Sequence, residues 1–412
     1  MSNALPGSSS VDQAAPSQSE STPAAIARYV VALLVFVALA AGAHLLTAAP
    51  GHGSPAAFSL LIGVALGVVF ERGRFCFFCI FRDFIEHRNA GPLYAVLAAL
   101  AVSGVGYAIV FGAFLPNPSS GRFAPDAHIG PVSLALVVAG LVFGLGMALS
   151  GACISGHLYR LGEGSAYAPL ALAGSLIGFG FGFWSWNWLY VTVVAGAPVV
   201  WLPHWLGYGG SLLVHLAVLG VLAFVLLRYV PPLPPRPLRS LNSSYLRDTL
   251  FRERWNPLAT GALVGIIGVM AYLRVEPLGV TAQLGSMTRT VMDQAGWLPV
   301  RLNGLDSFAG CATRVVQTIT ENGWLIIGLA LGSFGAALIA GRFQLALPRA
   351  GGSVTSLLGG VLMGWGAMIA LGCTVGTLLS GIAAFALSGW VFGAAVFTGV
   401  WIGIALRLHR WT

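Results

Sequence analysis

Cysteine, arginine and glycine make the chemically suggestive combinations in this sequence. The run ERGRFCFFCIFRDF, residues 71–84, places Cys76 and Cys79 among Arg72, Arg74 and Arg82, with Glu71 and Asp83 alongside. Arg72 or Arg74 could attract an anion there, with an acid pairing one arginine so that its charge is tolerated. The plainer reading is an interfacial loop with arginines on its basic side and phenylalanines as anchors. A metal site would need a second cysteine pair or histidines at ligand spacing, and none follows, so neither a metal nor a cofactor is expected.

The run SGACISGHLYRLGEGS, residues 150–165, sets Cys153 between glycines that free backbone N–H groups and let the chain turn. Its polar neighbours include His157, Tyr159, Arg160 and Glu163, which helix capping and an Arg160–Glu163 pair would also explain. Cys373 stands in a comparable place, after Gly372, and Cys311 lies three positions before Arg314. A lone membrane cysteine is usually a small apolar packer. Thiols could instead line a path, because S–H and backbone N–H donors hold a soft, sulfur-bearing anion weakly enough to release it. Arginines at the mouths would concentrate such an anion.

The elements that must carry these residues are membrane helices. Hydrophobic residues make up 57% of the 412 and charged residues 8%, whereas soluble domains carry about 25% charge. All 21 basic residues are arginine, and no soluble basic face for nucleic acid is found. A P-loop is excluded because it requires lysine. Residues 1–25 are read as a disordered tail, too polar to fold alone. Ten spans are expected, at about 29–48, 55–70, 91–115, 130–150, 166–187, 210–230, 258–273, 323–341, 354–371 and 382–406. The spans at 55–70 and 258–273 read as short for a full crossing. Placing the basic loop 228–256 in the cytoplasm puts 16 of the 21 arginines and both termini inside.

Residues 143–158 (FGLGMALSGACISGHL) and 363–378 (MGWGAMIALGCTVGTL) superimpose at an offset of 220, pairing Cys153 with Cys373 and Gly156 with Gly376. With 210–230 as an unpaired span, the two halves are inverted, an arrangement that brings equivalent loops toward the midplane. The expected organisation is therefore an extra first helix at 26–50, a first repeat at 55–209, a linking helix and basic loop at 210–256, and a second repeat at 257–412. GVTAQLGSMTR follows its helix much as GRFCFFCIFRD follows the earlier one, but without cysteines.

At ERGRFC (71–76), GACISGHLYRLGEG (151–164) and GWGAMIALGCTVGTLLSG (364–381), the sequence resembles the YeeE/YedE family of sulfur-compound transporters. The resemblance implies an all-α, inverted-repeat membrane protein with half-helices meeting at its centre. It implies thiosulfate uptake across a bacterial inner membrane, past Cys76, Cys153 and Cys373, beside a TusA-like cytosolic sulfur carrier. Cys79, Cys311 and the first helix are additions to the pattern. Gly151, Gly372 and His157 complete the expected path. The competing readings are a membrane thiol or sulfur-relay oxidoreductase, and an assembly subunit. A haem protein would need axial ligands, and His44 and His215, each alone on an apolar span, are expected to be packing residues.

Overall fold

The computed structural model describes residues 22–51, 53–231, 249–308, 314–345 and 348–410. Cys311 and the polar segment 1–21 lie outside the described residues, as does most of the basic loop after 231. Without water in a bilayer core, backbone groups must be satisfied within each segment, and the apolar runs accordingly form helices. Among the described residues there is no β-strand, and ten helices or helix pairs are long and apolar enough to cross a membrane.

The chain runs through α1 (Thr22–Ala48), α2 (Gly53–Gly73), the short α3 (Phe77–His87) and α4 (Leu93–Phe114). It continues with α5 (Leu134–Ser150), the short α6 (Ile154–Gly162), α7 (Tyr167–Leu189) and α8 (Pro203–Leu226). The second half contains α9 (Pro257–Arg274), the short α10 (Ala282–Gln294), α11 (Glu321–Ala340), α12 (Ala350–Ile369) and α13 (Leu387–Ala405). A wound segment, Thr374–Ser380, continues as Gly381–Ala383 between α12 and α13.

Each expected span corresponds to a helix, and the two expected to be short need correction: the run at 258–273 forms α9, whose 18 residues are long and apolar enough to cross. The run at 55–70 is not short: α2 has 21 residues and carries Glu71 and Arg72 into full burial at its end. Glu71 pairs with Arg342 at 3.2 Å and with Arg72 at 3.6 Å, which makes those charges tolerable inside the fold.

Small residues decide how the long helices meet. A Cβ on Gly63 of α2 would stand 2.1 Å from the Leu325 carbonyl of α11, and one on Gly328 would stand 2.2 Å from the Leu60 carbonyl. Gly178 of α7 and Gly364 of α12 make the same reciprocal approach, at 2.1 Å to the Val361 and Ser175 carbonyls. Such backbone proximity supplies the dispersion contacts that hold helices together in lipid. The packing survives exchange of the two halves: α2 lies on α11 as α9 lies on α4, and α7 lies on α12 as α13 lies on α5. Helix α1 packs outside this set, against α2 and α11.

Candidate functional site

Two breaks in the first half deliver cysteines to one point. Helix α2 ends at Arg74 in a left-handed conformation (φ 54°), and the Phe75 N–H turns back to the Phe70 carbonyl at 3.1 Å. Cys76 then occupies the position before α3. Helix α5 ends at Gly151 (φ 79°), whose N–H bonds to the Met147 carbonyl at 2.9 Å, and Cys153 caps α6. The two Sγ atoms lie 3.8 Å apart, both fully buried. Cys153 Sγ accepts from the Gly156 N–H at 3.3 Å, faces the Phe77 N–H of α3 and lies 3.3 Å from Ser155 Oγ. Gly156 is required here, since a Cβ would come within 2.8 Å of Cys76 Sγ. The positive ends of two short helices thus converge on a pair of thiols.

The second half repeats this plan with one exchange of chemistry. Gly372 turns its N–H back to the Ala367 carbonyl at 2.8 Å, and Cys373 caps the wound segment. Its buried sulfur faces the N–H groups of Val375 and Gly376. The counterpart of Cys76 is Thr281, which occupies the position before α10 as Cys76 does before α3, neither making a side-chain cap bond, and its hydroxyl faces the Cys373 thiol. Both cysteine breaks are stapled seven residues apart: His157 Nε2 lies 3.1 Å from Ser150 Oγ, and Thr377 Oγ1 donates to the Ala370 carbonyl at 3.1 Å.

Beside the Leu371–Gly372 break lies a cavity lined by His128, Ser133, Trp186, Leu371, Thr377 and Ser388. Burial pulls the His128 pKa down to about 4, so the imidazole is neutral at neutral pH. The lining offers hydroxyls and an imidazole rather than formal charge.

The arginines are distributed otherwise than their spacing suggested. Arg160 does not pair with Glu163. It donates from Nη2 to Cys79 Sγ and from Nη1 to the Gly151 carbonyl, both at 3.1 Å. Glu163 instead receives Arg74 at 2.6 Å. Arg72, 2% exposed, donates to the Glu253 carbonyl. Cys79 lies one turn into α3, and its thiol is within reach of Cys76. His215 is a packing residue, bonded to the Leu100 carbonyl at 3.0 Å, whereas His44 is exposed. Thr281 was missed by sequence reasoning; its signal was the partial likeness of GVTAQLGSMTR to the first-half cysteine run.

Long apolar helices, interrupted where buried thiols and helix starts meet within the core, define a multi-pass helical membrane protein. The chain belongs to the sulphur transport family, which matches residues 72–402. It is similar to a thiosulfate transporter, TsuA, of Escherichia coli, 31% identical over 368 residues covering 83% of this chain and 92% of the relative. A second TsuA, from Spirochaeta thermophila, is 29% identical over 368 residues, covering 83% and 96% of the two chains. A probable transporter, YedE of Escherichia coli, is 35% identical over 88 residues, 21% of this chain and 22% of that one.

Proposed function

We propose that this chain takes up thiosulfate, or a closely related small sulfur-containing anion, across a bacterial inner membrane through a central path lined by Cys76, Cys153 and Cys373. The observation that carries this reading is the 3.8 Å approach of Cys76 Sγ and Cys153 Sγ where two helix starts converge. A soft anion is held there by weak S–H and N–H donors, while the nearby Arg160 guanidinium is already engaged by Cys79 and the Gly151 carbonyl. The names of the two TsuA relatives, each matched over 368 residues, point to the same cargo. The exchange-symmetric packing supports two inverted repeats, with the Cys153 and Cys373 breaks reaching inward from opposite faces. Both termini and the arginine-rich segment after α8 are assigned to the cytoplasm, where a TusA-like sulfur carrier would meet the path.

The test is growth on thiosulfate of a bacterium unable to import sulfate or thiosulfate. Wild type is expected to restore growth, and Cys153→Ala and Cys373→Ala to abolish it at normal membrane levels. Variants growing at the wild-type rate would remove the thiol path, and a wild type that fails to support growth would remove the cargo.

The nearness of Cys76 and Cys153 also favours a second reading, a sulfur relay. A thiolate would attack the terminal sulfur of thiosulfate, forming a persulfide and releasing sulfite. Recovery of doubly labelled thiosulfate intact inside vesicles excludes that relay.

A further inference from the structure

Thr281 has a hydroxyl with no ordinary use. It is 1% exposed, starts a helix of 13 residues and has no conventional hydrogen-bond partner. Threonine or serine at a helix start normally accepts from an N–H two or three residues on. Ser133 and Thr320 do so here, receiving Leu136 N–H and Gly323 N–H, whereas Thr281 makes no such cap. A buried hydroxyl without a strong partner is costly, and that of Thr281 faces the soft thiol of Cys373, a weak partner that an oxyanion oxygen would outcompete.

The backbone around it is held firmly. Glu276 Oε1 accepts from Asn322 Nδ2 at 2.6 Å, and Asn322 Oδ1 accepts from the Gly279 N–H at 3.0 Å. The turn is thereby fixed two residues ahead of Thr281, with Gly279 packed so closely that a Cβ would meet Asn322 Nδ2 at 2.5 Å. The uncharged cavity bordered by Leu371 and Thr377 adjoins the break that carries Cys373.

Resting on the transport reading above, we infer that Thr281 and Cys373 form a second anion subsite in which the Thr281 hydroxyl binds an oxygen of a sulfur oxyanion. The equivalent pair in the first half, Cys76 and Cys153, presents two thiols. An anion with a sulfur end and an oxygen end therefore meets two chemically different stations. Hydroxyl donors bind oxyanion oxygens more strongly than thiols do. Thr281 thus selects for cargo that carries S–O bonds.

The test uses the full chain reconstituted in lipid vesicles with radiolabelled thiosulfate, alongside thiosulfate binding to the detergent-purified protein. Thr281→Val removes the hydroxyl at nearly constant shape. It is expected to raise KM and Kd about tenfold, to change maximal uptake less than twofold, and to hold or raise the melting temperature of the unliganded protein. Thr281→Ser is expected to return KM to within about threefold of wild type. A wild-type KM and Kd in Thr281→Val overturns the inference, as does a loss that Thr281→Ser fails to rescue. Wild type that binds thiosulfate without moving it overturns the transport reading, while the binding contrast still decides the role of Thr281.

Discussion

Arg160 and Cys79 are joined by a 3.1 Å contact from Nη2 to Sγ, while the same guanidinium holds the Gly151 carbonyl at 3.1 Å through Nη1. One side chain therefore clamps the α3 helix to the turn that presents Cys153. Removing the guanidinium takes this partner from a part-buried carbonyl, and hydrogen bonds to charged groups contribute about 1.5–3 kcal/mol. Arg160→Ala is expected to lower thiosulfate uptake more than tenfold and to reduce the melting temperature. Cys79→Ala keeps the Gly151 contact and is expected to stay within about twofold of wild-type uptake. Equal loss in both variants, measured in the same vesicles, would contradict the clamp and give Cys79 a place in the path itself.

The spans were legible because a bilayer demands about 20 apolar residues wherever a helix crosses it. The end of α2 was not, because the partner that neutralises Glu71 is Arg342, which lies 271 positions away. The same limit misassigned Arg160: Glu163 lies three residues on, yet Arg74 occupies it from the other break. Cys153 and Cys373 stood out in the sequence because similar glycine-flanked patterns surround them, and the structure places each at the break before a short helix or wound segment. Thr281 escaped because a hydroxyl stands there where the first half has the Cys76 thiol, and a search for cysteine does not register the exchange.

The approach of Cys76 to Cys153 makes an oxidative block testable. A disulfide requires sulfur atoms about 2.05 Å apart, so the present 3.8 Å separation must close by a small movement of the α3 and α6 starts. A diamide-type oxidant would accept the two electrons and two protons as the S–S bond forms. Treated vesicles are expected to lose most uptake, to regain it with dithiothreitol, and to yield a Cys76–Cys153 linked peptide by mass spectrometry. Full uptake in protein shown to carry that linkage would place the path elsewhere.

Helix contacts made through glycine should be unforgiving. A Cβ on Gly364 would stand 2.1 Å from the Ser175 carbonyl, a backbone atom that cannot swing away, whereas one on Gly220 in α8 meets nothing within 4 Å. Overpacking of this kind costs about 1–3 kcal/mol or more, and alanine in an open helix position gains up to about 1 kcal/mol over glycine. Gly364→Ala is accordingly expected to lower the melting temperature in detergent, and Gly220→Ala to hold or raise it. The reverse order would mean that α7 and α12 do not touch as described.

Glu276 gives the fold a pH dependence whose sign can be worked out. Burial raises its pKa from the usual 4.5 to about 7, with Glu321 and Asp126 pushing the same way and Arg314 and the Asn322 amide opposing them. The folded chain thus binds this proton more tightly than the unfolded chain does. The resulting stabilisation is fully present below pH 4.5 and is lost as pH rises through about 7. A shift of this size corresponds to on the order of 3 kcal/mol, an upper bound that solvent reduces at a partly exposed site. Glutamine mimics the protonated acid and can still accept from Asn322. Glu276→Gln is therefore expected to melt with wild type near pH 5 and above it at pH 8, with the gap opening between those values. Parallel melting curves across that range would show that Glu276 is already ionised in the folded protein at the lower pH.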